Sequence, residues 1–453
     1  MNHSRSVILC AVLGFLSLNV STGHPSASPS RRVNPPLPAA VLLPSDAAVV
    51  EQSIRFLEKR IARDPDDFIA SNKLAGYYLQ RVRETGDLTY LTLAAQRAKA
   101  SLATIPPERN SAGLMALAQV EFVSHDFGAA RDHARHLIEL HRDESPPYQL
   151  LGDSLLELGD YDAAKEAFRQ TRRLGAGHGL IRVAIEQREA RLAALRGDTA
   201  SAQRALSRAV ILALAIPAAP RETIAWCRWQ LGETAFAVGD YAAAERHYRD
   251  TLTTFPDYFR ALASLGRVRA ARGDMNDAIK HVEHAVDLLP DPAFVAALGD
   301  LFKLTGRDRE AAAQYALVEA IAQLSAASGT LYNRQQALFH ADHDMKPLEA
   351  YTNAAREYVV RRDIYGSDAV AWTALKAGKL SEAQAAMAMA LRLGTQDAKL
   401  FFHAGMIARA AGDRRSARHF LERALALSPQ FDPLQASIAR KTLMNDVASR
   451  AGG

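Results

Sequence analysis

The chain has 453 residues, 48% of them hydrophobic and 23% charged, and its 55 Lys and Arg against 50 Asp and Glu leave a formal charge of +5. The apolar share excludes a disordered chain, two cysteines exclude a disulfide framework, and 85 alanines with few β-branched runs favour helix over strand. Acidic and basic residues are interleaved throughout. Only short basic pairs such as Arg172-Arg173 and Arg414-Arg415 occur, so the charge reads as solvated helix faces and not as a nucleic-acid-binding stripe.

At the N-terminus, Arg5 precedes an apolar stretch from Val7 to Leu18, followed by small polar residues up to Gly23. That stretch falls short of the roughly 20 residues needed to cross a bilayer. It predicts a secretory signal peptide over 1–23, with Ser21 and Gly23 as small residues near the cut, and an exported, periplasmic or secreted product. Membrane contact is expected only through this segment, if it stays uncleaved. Cys10 lies inside the apolar stretch and not after it, against a lipid-anchor role. Cleavage leaves Cys227, which sits between Trp226 and Trp229 on a predicted helix and is expected to be buried. Residues 24–44 carry six prolines and predict an extended linker. Residues 45–63, with Phe56, Leu57 and Ile61, predict a capping helix.

From there one text recurs. Tyr148 to Phe168 reads YQLLGDSLLELGDYDAAKEAF, and Trp229 to Tyr248 reads WQLGETAFAVGDYAAAERHY. Gly152/Gly159, Gly232/Gly239, Gly266/Gly273 and Gly405/Gly412 share one internal gap. A Gly-Asp turn dipeptide recurs at 159, 197, 239, 273 and 412, with an alanine five residues beyond each glycine. Prolines 65, 256, 290 and 429 close units. A small residue in each helix lets two helices approach closely, Gly ends the first, and Asp caps the second.

These positions, Leu231, Gly232, Gly239, Ala244, Tyr248 and Pro256 among them, resemble the tetratricopeptide repeat family. The resemblance implies an all-α solenoid of helical hairpins winding as a right-handed superhelix over 45–450, about ten units in all. Units fall near 69–110, 111–144, 145–178, 183–224, 225–258, 259–291, 292–325, 364–397 and 398–431, with a degenerate unit near 326–363 and a capping helix at 433–448. Pro217 and Pro220 predict a lengthened exit loop. The stretch from Leu331 to Ala371 is too long between its helices for a standard unit, and it resembles a segment of a poorly characterised group of bacterial tetratricopeptide proteins.

The family's groove lies on the first helices of its hairpins. Carried onto this chain, its positions hold Phe122, Trp226, Trp229, Phe236, Trp372 and Phe402 as aromatic anchors, and Arg260, Arg267 and Arg409 as partners for acidic groups. The Lys and Asn of the carboxylate clamp found in co-chaperone members are absent: those places hold Trp229, Glu233, Met115 and Gln119.

No phosphate loop, nucleophile elbow or HExxH is present, and nothing calls for a cofactor. His340 and His343 sit at helical spacing beside Asp342 and Asp344, a pattern able to share a metal ion. His133/His136 and His281/His284 repeat that spacing on ordinary second helices, which makes it partly incidental. The expectation is a non-enzymatic scaffold of the cell envelope that binds a protein or peptide in its groove. The alternative is a metal- or polysaccharide-handling accessory protein of the periplasm. Oligomeric state and partner identity are not encoded in any motif.

Overall fold

The structure is a computed structural model that describes residues 46–175, 177, 179–217, 219–327 and 334–451. The signal peptide and linker expected over 1–44 lie outside the described residues. Within them the chain forms 22 α-helices and one short 3-10 turn, and no strand.

The first helix, α1 (Asp46–Arg63), stands before the hairpins. Val50, Ile54, Leu57 and Ile61 recur at three- and four-residue steps and are buried, whereas Phe56 lies on the other side at 62% exposure. The capping face therefore excludes Phe56, contrary to its grouping with Leu57 and Ile61 in the sequence.

Ten hairpins follow. The first five pair α2 (Phe68–Thr85) with α3 (Thr89–Thr104), α4 (Ser111–Val123) with α5 (Phe127–Leu140), α6 (Ser145–Glu157) with α7 (Tyr161–Gly175), α8 (Gly179–Leu195) with α9 (Thr199–Leu214), and α10 (Arg221–Ala237) with α11 (Tyr241–Thr254). The next three pair α12 (Phe259–Ala271) with α13 (Met275–Leu288), α14 (Pro292–Leu304) with α15 (Asp308–Ala327), and α16 (Arg334–Asp342) with α17 (Pro347–Val360). The last two pair α18 (Ile364–Lys376) with α19 (Leu380–Ala390) and α20 (Ala398–Ala410) with α21 (Arg414–Leu427), and α22 (Gln435–Ala451) closes the array.

The turn chemistry follows from the recurring Gly-Asp. At the end of α6, Gly159 adopts a φ of +79°, which lets the Asp160 N–H reach Leu155 O at 2.9 Å and the Gly159 N–H reach Leu156 O at 3.1 Å. The Asp160 carboxylate then accepts the Ala163 N–H at 3.2 Å and starts α7. The helices of one hairpin touch at the earlier small residue: a Cβ on Gly232 would lie 2.3 Å from the Tyr248 ring.

Two expectations are corrected. Pro220 is the N-cap of α10, so the fifth hairpin starts at Arg221, four residues before the expected unit; six positions still separate it from Leu214 at the end of α9, against four between α11 and α12, so the exit loop is lengthened as expected. The stretch expected to be overlong is filled by a hairpin with a nine-residue first helix, α16, turned by Asp344 and Lys346 in left-handed backbone.

First helices of neighbouring hairpins pack on one another, α2 on α4, α10 on α12 and α14 on α16 onward to α20. Second helices pack on their own hairpin and on the next first helix, so the first helices line the inner side of the curve. The curve is tight enough to bring late hairpins back to early ones. The Ile364 N–H donates to the Tyr161 hydroxyl at 2.8 Å, and Arg361 pairs with Glu157 at 2.6 Å. The Gln430 N–H donates to the Tyr241 hydroxyl at 2.8 Å, and the Ser428 hydroxyl to Phe236 O at 3.1 Å. Between them, the Thr395 hydroxyl donates to Leu195 O. A seam thus joins the turns of hairpins three to five to the loops that close hairpins eight to ten. The first hairpin docks similarly, with Gly86 against Leu289 and Arg83 3.6 Å from Glu222.

Candidate functional site

The inner face is richest in accessible groove-position residues at α10 and α12. Trp229 is half-buried and donates its indole N–H to the Ser264 hydroxyl at 3.0 Å. That hydroxyl donates in turn to Glu233 at 2.7 Å, and the same carboxylate accepts Tyr248 O–H at 2.7 Å. Arg267 holds both Glu233 oxygens, at 2.7 and 2.8 Å, and its guanidinium lies 4.1 Å from the Phe236 ring centre. Burial pushes the Glu233 carboxyl up, but Arg267, Tyr248 and Ser264 outweigh it and hold the group below its ordinary range. The same partners keep Arg267 firmly charged.

This network fixes the rotamers of Trp229 and Arg267 before any partner arrives. Arg260 is more enclosed, its guanidinium 4.6 Å from the Phe259 ring and 5.9 Å from that of Trp229. The arrangement presents an aromatic face and a guanidinium edge at fixed positions, suited to stacking on an apolar or planar group and holding an acceptor beside it.

The other aromatic assignments are corrected. Phe122, Trp226, Phe236, Trp372 and Phe402 are buried, Phe402 to 1% exposure, and belong to the packed core. Phe122 meets Phe127 edge-on at 5.3 Å between ring centres. Trp372 stacks on His403 at 4.3 Å and donates its indole N–H to Asp342 at 2.7 Å. The physical reason is local packing: Phe122 and Phe236 meet rings of their own hairpins' second helices, Trp226 joins the cluster of α9, and Trp372 and Phe402 pack between neighbouring first helices. Arg409 is exposed near the end of α20. Thus Trp229, Phe236, Arg260 and Arg267 come together, Trp372 and Phe402 form a second pair 5.6 Å apart, and Phe122 packs with Phe127. The sequence reading noted Glu233 only for breaking the clamp pattern. It missed Ser264 and Tyr248, although Ser264 and Arg267 stand at helical spacing on α12 and Glu233 lies 34 positions, one repeat, before Arg267.

His340 and His343 do not converge. His340 Nε2 meets Glu319, while His343 Nε2 lies 2.8 Å from Asp300 and its Nδ1 2.7 Å from Phe339 O. Among the described residues no group of three or more His, Cys, Asp or Glu could hold a metal ion, and no helix is long and apolar enough to cross a membrane. Cys227 is buried, with the Gln187 amide donating to its sulfur at 3.2 Å, and burial pushes its thiol up to about 12.

Paired antiparallel helices stacked with their first members inward define an α-helical repeat solenoid. Models of the tetratricopeptide repeat match residues 230–293 and, separately, 145–170 and 398–431. The chain thus carries tetratricopeptide repeats, and these repeats support a protein-interaction scaffold. No curated protein matches it. Among solved structures it is similar to PilW, described as a widely conserved type IV pilus biogenesis factor, at 17% identity over 46% of this chain and 91% of that one, TM-score 0.39. It is also similar to human IFIT1 in a dimer with PPP-AAAA (14% identity, 83% and 87% covered, TM-score 0.42) and to the Cut9-Hcn1 heterotetramer of APC/C (14%, 88% and 94%, TM-score 0.32).

Proposed function

We propose that the protein is an exported, non-enzymatic scaffold of the cell envelope that seats a peptide or partner protein on the inner face of α10 and α12. The supporting observation is the network of Trp229, Ser264, Glu233 and Arg267, which holds an indole and a guanidinium half-exposed and already ordered. Ordering these side chains in advance removes entropy that a partner's binding must otherwise overcome. Glu233 is fully engaged by three donors, so the patch offers shape and hydrogen bonding, with no carboxylate left to move a proton. The leader-like 1–23 segment supports action outside the cytoplasm.

The test is affinity purification of the tagged full chain from envelope extracts, beside Trp229→Ala and Arg267→Ala. Partners captured by the native chain and lost from both variants support the assignment. An unchanged partner set sinks it. Fractionation of the same cells tests export.

A further inference from the structure

Away from the Trp229 patch, a cavity of about 360 Å³ opens between α7 and α8 and ends at the turn into α9. Lys165, Arg169 and Arg172 follow one another at steps of four and three along α7, which puts them on one face of that helix. Arg196, at the end of α8, closes the far side, and Leu192 and Ala193 form an apolar floor.

The acidic residues nearby are already engaged. Glu189 holds Arg172 at 3.1 Å, and Glu166 holds Arg169 at 2.5 Å. Asp198 accepts the Ser201 N–H at 2.9 Å as the cap of α9. Among the described residues Lys165 and Arg196 have no ion-pair partner, and the four cations lining the cavity face two carboxylates, Glu189 and Asp198, which leaves it net positive over an apolar floor.

The geometry points to this cavity as a binding site for carboxylate side chains of an acidic peptide. Charge complementarity sets the sign of the occupant. The floor narrows its chemistry: the methylene stem of a Glu side chain covers Leu192 and Ala193 while its carboxylate reaches Lys165 or Arg196. A compact anion such as phosphate, or a lipid headgroup, leaves those apolar groups wet. The site is separate from the α10–α12 patch, so the chain carries two recognition surfaces with different chemistry.

The experiment is fluorescence anisotropy of a short labelled Glu-rich peptide with the full chain at low ionic strength. Three variants accompany it: Lys165→Glu/Arg196→Glu, the charge-matched control Arg414→Glu/Arg415→Glu, and Trp229→Ala. All four altered charges are exposed, and circular dichroism checks that each variant folds. The expected result is peptide binding weakened about tenfold or more in the Lys165/Arg196 variant alone. Three outcomes overturn the proposal: no binding by the native chain, equal weakening in the control, or loss in Trp229→Ala matching that of the cavity variant. Capture by vesicles of anionic phospholipid, lost in the cavity variant while the peptide stays unbound, assigns the cavity to a membrane surface and also overturns it.

Discussion

The Tyr161 hydroxyl accepts the backbone N–H of Ile364 at 2.8 Å, although the two residues are 203 positions apart. Tyr161 follows the Gly-Asp of the third hairpin's turn, and Ile364 opens α18, where a first-turn N–H has no partner inside its own helix. Tyr241 follows the Gly-Asp of the fifth turn and accepts the Gln430 N–H, 189 positions on. One local text, Gly-Asp-Tyr, thus supplies two clasps along one seam.

Removing the Tyr161 oxygen is therefore expected to matter more than its half-turn of helix suggests. Tyr161→Phe leaves the buried Ile364 N–H unsatisfied, which costs about 1–3 kcal/mol. The double variant Tyr161→Phe/Tyr241→Phe is expected to lower the melting temperature further and to increase the radius of gyration in small-angle scattering. A double variant as stable and compact as the native chain would show that the seam carries no weight.

Close approach at Gly232 leads to a second expectation. Alanine there sets a methyl 2.3 Å from the Tyr248 ring, and that ring carries one of the donors to Glu233. Gly232→Ala is expected to destabilise by roughly 1–3 kcal/mol through overpacking. Displacing Tyr248 also loosens the support of Arg267, so capture of the inner-face partner should fall together with stability. A near-ultraviolet circular dichroism signal and partner capture both unchanged would contradict this.

The hairpins were legible because their causes are local. A glycine at the turn, an aspartate one residue on and a small residue on each facing helix determine a hairpin wherever they recur, as at Gly159, Asp160 and Ala164. The inner-face aromatics were not legible in the same way. Whether Trp372 or Phe402 is buried depends on how neighbouring first helices pack, and the seam that closes the array rests on contacts such as Arg361 to Glu157, 204 positions apart. No window of sequence contains both partners. The eighth hairpin was obscured for another reason: its Asp344 and Lys346 take left-handed backbone without the glycine that marks the other turns apart from the second, where His125 does the same.

A buried ion pair on the inner side of α6 and α8 supplies the next prediction. Arg188 reaches Asp153 at 2.6 Å through Nη2 and 3.1 Å through Nε, and both side chains are 1% exposed. Burial pushes the Asp153 carboxyl up to about 6, with Arg188 pulling it back down. Arg188→Met strands that carboxyl in the core, and urea unfolding is expected to show a loss of about 3–5 kcal/mol at pH 7.5. The loss should shrink on acidification, because a protonated Asp153 no longer buries a charge. Asp153→Leu/Arg188→Met is expected to recover much of it. A pH-independent loss would refute the stranded-charge account.

Asp291 makes the last prediction, with the sign set by its surroundings. It caps α14 by accepting the Ala293 N–H at 2.8 Å, and burial pushes its carboxyl up to about 6 from 3.8, against the pull of that N–H and of Arg260. A carboxyl whose folded pKa exceeds its unfolded one is penalised in the fold when ionised. The penalty is complete above pH 6, shrinks as pH falls through 6, and is gone below 3.8. Asn keeps the capping oxygen without the charge. Asp291→Asn is therefore expected to stabilise the chain at pH 7.5 by on the order of 2 kcal/mol, with the gain vanishing toward pH 4. Urea unfolding of both proteins across that range measures it. A variant weaker than the native chain at pH 7.5 would mean that Arg260 needs the charge more than burial penalises it.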